Sequence, residues 1–190
     1  MEFFDLTLPL QSGMPVYPGD PEVRFTAVRT HEIDGYQVKQ FCMGSHSGTH
    51  LDAPRHFLAG GATLDEYGVD RLMGPGVVID CRPPSGGTAT PGRTETAEPA
   101  VVDAALLRER LEAFSIAAGS IVILWTEGTP LTPDAGEVVS ALRPIIVGTD
   151  AASLDAEPYP VHRLLLGQGI ILAENLQGLD RLGPGPATFA

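Results

Sequence analysis

Ser45-His46-Ser47-Gly48-Thr49-His50-Leu51-Asp52-Ala53-Pro54-Arg55-His56 holds three of the five histidines of the chain, with an aspartate between them. Imidazole nitrogen and carboxylate oxygen are the ligand types that suit Zn²⁺, Mn²⁺ or Fe²⁺. The spacing of His46 and His50 would place both on one helix face, but Gly48, Thr49 and Pro54 oppose a helix here. On an extended segment the side chains alternate, so His46, Gly48, His50 and Asp52 share a face. Full extension would separate the two histidines by ~13 Å, too far for one ion. The sequence therefore predicts a bend or bulge at Gly48, where glycine turns the chain at low steric cost. Asp52 has two oxygens and could bridge two ions. His56 lies beyond Pro54, either as a further ligand or as a base beside metal-bound water; the base is the favoured reading.

Working outward from this stretch, 35–43 alternates like a strand with one face to a core, and 76–81 reads as a buried strand. The Pro, Gly, Ser and Thr of 83–99 read as a surface loop. Asp103 caps a helix to about residue 114, with Leu106, Leu107 and Leu111 inward. Strands are predicted over 121–125, 144–148 and 169–174. Helices are predicted from Thr132-Pro133 to before Pro144, and over 159–166. Strand and helix alternate only in the second half, which predicts a β-rich α/β domain rather than a clean doubly wound sheet.

The 190 residues suit one domain, and 43% are hydrophobic. With 12 basic and 24 acidic residues the formal charge is −12, which disfavours nucleic acid and anionic membranes as partners. There is no phosphate-binding glycine loop. No apolar run approaches the ~20 residues of a membrane helix, and no signal peptide is recognisable, so the expected compartment is the cytoplasm. Cys42 and Cys81 read as buried small hydrophobes, and His31 as a surface residue. Glu174 ends the apolar run Ile170-Ile171-Leu172-Ala173, where a buried carboxylate needs a partner; a metal or an arginine, Arg163 or Arg181, would serve.

The pattern HxGTHxDxPxH, complete from His46 to His56, resembles the signature of the cyclase-like metal hydrolases, a family that includes bacterial kynurenine formamidase and isatin hydrolase. Asp5-Leu6-Thr7 and Met14-Pro15-Val16-Tyr17-Pro18-Gly19-Asp20 resemble the family's opening segment. Gly148-Thr149-Asp150, Ser153-Leu154-Asp155, His162 and Glu174-Asn175-Leu176 resemble its second half. The resemblance implies a swivelling β/β/α domain, usually assembled as a homodimer or homotetramer. It implies two divalent ions per chain, Zn²⁺ ahead of Mn²⁺. His46, His50 and Asp52 would hold the first ion and Asp52, His162 and Glu174 the second, with His56 as catalytic acid/base. The family normally continues into a last strand beyond Pro186-Ala187-Thr188-Phe189-Ala190, so the resemblance implies a single domain over residues 1–190 lacking that strand. Kynurenine formamidases typically carry alanine where this chain has Thr49, which points to the broader family.

The expected activity is hydrolysis of a carbon–nitrogen bond in a small amide, formamide or cyclic amide by a metal-bound hydroxide. An esterase or lactonase on the same site is one rival reading. A non-catalytic metal or small-molecule binding protein is another. A structural zinc site fits poorly, because both cysteines lie outside the motif. Tyr17, Phe57, Phe41 and Trp125 could line a pocket for an aromatic substrate, although core packing is the commoner role of such residues. Arg55 could meet a substrate carboxylate or be solvated.

Overall fold

The computed structural model describes residues 2–83 and 100–190, so all of the expected 83–99 loop except Pro83 lies outside the described residues. Among the described residues eight strands and five α-helices run in the order β1 (Arg24–Arg29), α1 (His31–Asp34), β2 (Val38–Cys42), β3 (His50–Asp52), β4 (Gly74–Asp80), α2 (Ala104–Leu111), β5 (Ile121–Trp125), α3 (Pro133–Ala141), β6 (Ile146–Thr149), α4 (Pro160–Gly167), β7 (Ile171–Glu174), α5 (Leu179–Leu182) and β8 (Gly185–Phe189). Six strands form one mixed sheet in the order β3-β7-β6-β5-β4-β8. The four central strands are mutually parallel, and β3 and β8 close the two edges antiparallel.

The central strands are apolar throughout because both faces of the sheet are covered. Val77, Ile79, Val122, Leu124, Val147 and Leu172 pack with α2, α3 and α4 through Leu107, Val139 and Leu165. The intervening residues Val78, Ile121, Ile123, Trp125, Ile171 and Ala173 form a second layer with Leu179, flanked by Leu6, Leu51, Leu176 and Phe189. The expected caps hold: the Asp103 carboxylate accepts from Leu106 N–H and the Thr132 hydroxyl from Ala135 N–H.

The structure differs from the sequence reading in three places. The 35–43 strand is present as β2, but it faces no core. It pairs only with β1, for which no strand is predicted, and all five of its residues are exposed, Phe41 and Cys42 included. Cys42 is thus no core residue, whereas Cys81 is buried and burial pushes its thiol up to about 12. At the other end Gly185–Phe189, a segment for which no strand is predicted, forms β8 along β4, with Gly74 opposite Phe189 and Val78 opposite Gly185. Gly76 makes room for it, since a β-carbon there would come within 2.8 Å of the Phe189 ring. Among the described residues no helix is long and apolar enough to cross a membrane.

Candidate metal centre

The short strand β3 carries the motif to the edge of the sheet. Before it, the turn predicted at Gly48 is present, with φ of +69°. The positive φ is what calls for glycine; a β-carbon there would also meet the tip of the exposed Leu10 side chain at 2.6 Å, which would have to move. The His46 side of the motif is a turn rather than an extended strand, which brings its ring to 4.8 Å from that of His50, centroid to centroid. His50 pairs with Glu174, at the C-terminal end of β7, and Asp52 with Leu172, so the alternation of β3 puts His50 and Asp52 on one face. A 3-10 turn, Pro54–His56, returns His56 toward them. Helix α4 lays His162 over Glu174.

Asp52 is the hub. It is 1% exposed, and neither of its oxygens has a hydrogen-bond partner. Four imidazole nitrogens nevertheless approach it: His46 Nδ1 and His50 Nε2 lie 2.7 and 3.3 Å from Oδ1, and His162 Nε2 and His56 Nε2 lie 3.9 and 4.0 Å from Oδ2. Burial alone would raise the Asp52 carboxyl, but His46 and His50 hold it well below the usual carboxylate range. His50 Nδ1 donates to the Gly48 carbonyl at 2.9 Å, which leaves Nε2 free of any partner and 3.8 Å from Glu174 Oε2. A buried, unpartnered carboxylate is costly unless its charge is met. An imidazole turned nitrogen-first toward that carboxylate, without hydrogen-bond geometry, matches a cation-ligand set. The donors are all nitrogen and oxygen, which fits a divalent transition ion.

Asp52 belongs to two groups whose ligand atoms all lie within 4.8 Å of one another, one with His46 and His56 and the other with His50 and Glu174. The resemblance instead groups His46 with His50, and His162 with Glu174. His162 stays close to the second group, its Nε2 3.0 Å from Glu174 Oε1. Burial opposes charge on His162, but hydrogen bonds to Asp155 and Glu174 outweigh it and raise the imidazole to about 9. His56, with its side chain about a third exposed, is lowered by burial. Glu174 also accepts from Leu154 N–H at 3.1 Å and has no arginine partner among the described residues. Arg163 lies over Phe57, and Arg181 donates to the Asp5 carbonyl.

His46, His50, His56, His162 and Glu174 line a cavity of about 330 Å³ together with Phe57, Tyr159 and Tyr17, while the buried Asp52 is not part of the lining. The hydroxyls of Tyr17 and Tyr159 meet at 2.8 Å, joining the N-terminal loop to the start of α4. Arg55 lies outside the cavity lining; its Nε donates to the Gly61 carbonyl at 2.7 Å. Trp125 is core, with the Arg82 guanidinium 3.6 Å from its ring centre, Phe41 is 64% exposed, and His31 is exposed as expected. Sequence reasoning missed Tyr159, and it placed Asn175 and Asp155 in segments that resemble the family without giving either a role. Asn175 Nδ2 donates to the same Gly48 carbonyl at 3.1 Å. Thr49 accepts from Leu8 N–H at 2.7 Å and donates to the Asn175 carbonyl at 2.6 Å, tying the N-terminal segment to the site.

Fold and site together define a mixed α/β protein with a candidate metal centre at one edge of its sheet. The Cyclase family model matches residues 4–156, and the chain belongs to that family. A kynurenine formamidase of Salinibacter ruber is 29% identical over 197 residues, spanning all of this chain and 87% of that protein. Isatin hydrolase A of Labrenzia aggregata, bound to benzyl benzoate, superimposes with a TM-score of 0.77 at 24% identity, covering 96% of this chain and 83% of that one. An isatin hydrolase bound to the product analogue thioisatinate gives 0.77 and 24%, covering 96% and 82%. These likenesses establish the fold as that of the cyclase-like hydrolases.

Proposed function

We propose that this chain is a metal-dependent hydrolase that cleaves a carbon–nitrogen bond in a small amide, formamide or cyclic amide. The observation that carries the reading is the orphaned, buried Asp52 carboxylate, approached by four imidazoles that themselves line a cavity. The names of the relatives, a formamidase and two isatin hydrolases, support it. We read residues 1–190 as one such domain. Two ions, Zn²⁺ or Mn²⁺, would share Asp52, with His46, His50, His162 and Glu174 as the remaining ligands.

A divalent ion held there supplies Lewis acidity, polarising a substrate carbonyl and acidifying water. Asp52 and Glu174 balance its charge. Gly48 orients His50 through its carbonyl. Phe57 and Tyr159 offer apolar ring faces to a flat substrate and limit water. His56 is the one imidazole of the group that is about a third exposed, and burial lowers its affinity for a proton. It can therefore take a proton from the attacking water and pass it to the leaving nitrogen.

His56→Ala tests this role. The expected outcome is unchanged metal content with turnover of aryl formamides or cyclic amides lowered about 10²–10⁴-fold. Loss of an ion would make His56 a ligand. Full turnover with full metal would exclude it from both roles.

A further inference from the structure

The two ring nitrogens of His162 have different company. Nε2 faces Glu174 Oε1 at 3.0 Å and Asp52 Oδ2 at 3.9 Å. Nδ1 donates to Asp155 Oδ1. The other oxygen of Asp155, Oδ2, accepts Val161 N–H at 2.6 Å in the first turn of α4. Asp155 is buried and lies outside the cavity lining, so it touches no substrate there. Both carboxylates only accept, so a cation can take the place of the proton between Nε2 and Glu174 while Nδ1 keeps its proton on Asp155. His50 shows the same arrangement by another route, its Nδ1 donating to the Gly48 carbonyl and its Nε2 turned to Asp52.

From this geometry we infer that Asp155 is a positioning residue that fixes His162 in the Nδ1–H form and so makes its Nε2 a metal ligand. The inference rests on the reading of His162 as a ligand in the proposed site. Partners of this kind set the tautomer and orientation of ligating histidines. Asp155 also ties that setting to the backbone of α4, since one carboxylate serves both Val161 and His162.

Asp155→Asn separates the two duties. Val161 N–H can only donate, so the amide oxygen must stay with it. The amide NH₂ then faces His162 Nδ1 and drives the ring proton to Nε2, where a metal would bind. Asp155→Ala removes the acceptor for Val161 but imposes no tautomer. Zn²⁺ affinity by chelator competition and thermal midpoints of the metal-free protein should therefore rank the variants differently. In affinity, wild type should exceed Ala and Ala should exceed Asn, with Asn weakened about 10–100-fold. In metal-free stability the order should be wild type, then Asn, then Ala, because Asn keeps the Val161 bond and loses only the charge-assisted contact to His162, whereas Ala loses both.

The same ranking in both measurements, or wild-type affinity in Asp155→Asn, would overturn the inference, as would collapse of the metal-free Asn variant. His162→Ala distinguishes this failure from that of the underlying reading. If it binds Zn²⁺ as wild type does, His162 is not a ligand. If it loses an ion while Asp155→Asn does not, only the role of Asp155 fails.

Discussion

Gly48 shows how one residue sets the whole site. Its φ of +69° turns the chain between His46 and His50, and its carbonyl receives both His50 Nδ1–H and Asn175 Nδ2–H. An alanine there would strain the backbone and press on Leu10. Gly48→Ala should cost about 1–3 kcal/mol in urea unfolding, and unchanged stability would show that the turn relaxes freely. This turn was legible in the sequence, because two histidines four apart on an extended chain cannot reach one ion without it. Asp155 was not legible in the same way. Its hydrogen bonds go to residues six and seven positions on, and nothing in its neighbours says that it is buried.

At the scale of elements, legibility followed burial. β5 was read with its observed bounds because all five residues are apolar, and the sheet is covered on both faces there. β8 carries proline, threonine and glycine in a half-exposed edge strand, and its partner residue Gly76 has no side chain to announce the contact. β2 has the alternation of a half-buried strand but sits in a two-stranded ribbon, so its pattern gave the element and misled about its face. Among the described residues the N-terminal segment has no helix or strand before β1, and it is held by side-chain and backbone hydrogen bonds alike. Thr49 is one tie, through Leu8 and Asn175. Thr49→Ala should therefore free this segment, seen as faster limited proteolysis within residues 5–23 with the core still resistant. An unaltered cleavage rate would assign the anchoring to the Tyr17–Tyr159 contact and the Gln177 backbone instead.

Over the whole molecule, a parallel four-strand core delivers Glu174 at the carboxyl end of β7, and an antiparallel edge strand delivers His50 and Asp52 beside it. The sheet thus joins a motif near residue 50 to residues more than a hundred positions away, and α4 adds His162 from above. The mixed α/β class was legible from where the strand–helix alternation begins. The grouping of ligands was not, because it depends on how a turn, a 3-10 helix and a helix start meet in space. A metal bound only by the folded chain should also stabilise it, by about 2.7 kcal/mol at an ion concentration a hundredfold above Kd.

If Asp52 anchors a metal centre, elemental analysis of wild type beside Asp52→Ala will show it. One or two Zn or Mn ions per wild-type chain are expected, with their loss in the variant. A wild-type protein that remains empty after reconstitution with Zn²⁺ and Mn²⁺, or a variant that keeps its full complement, would contradict it.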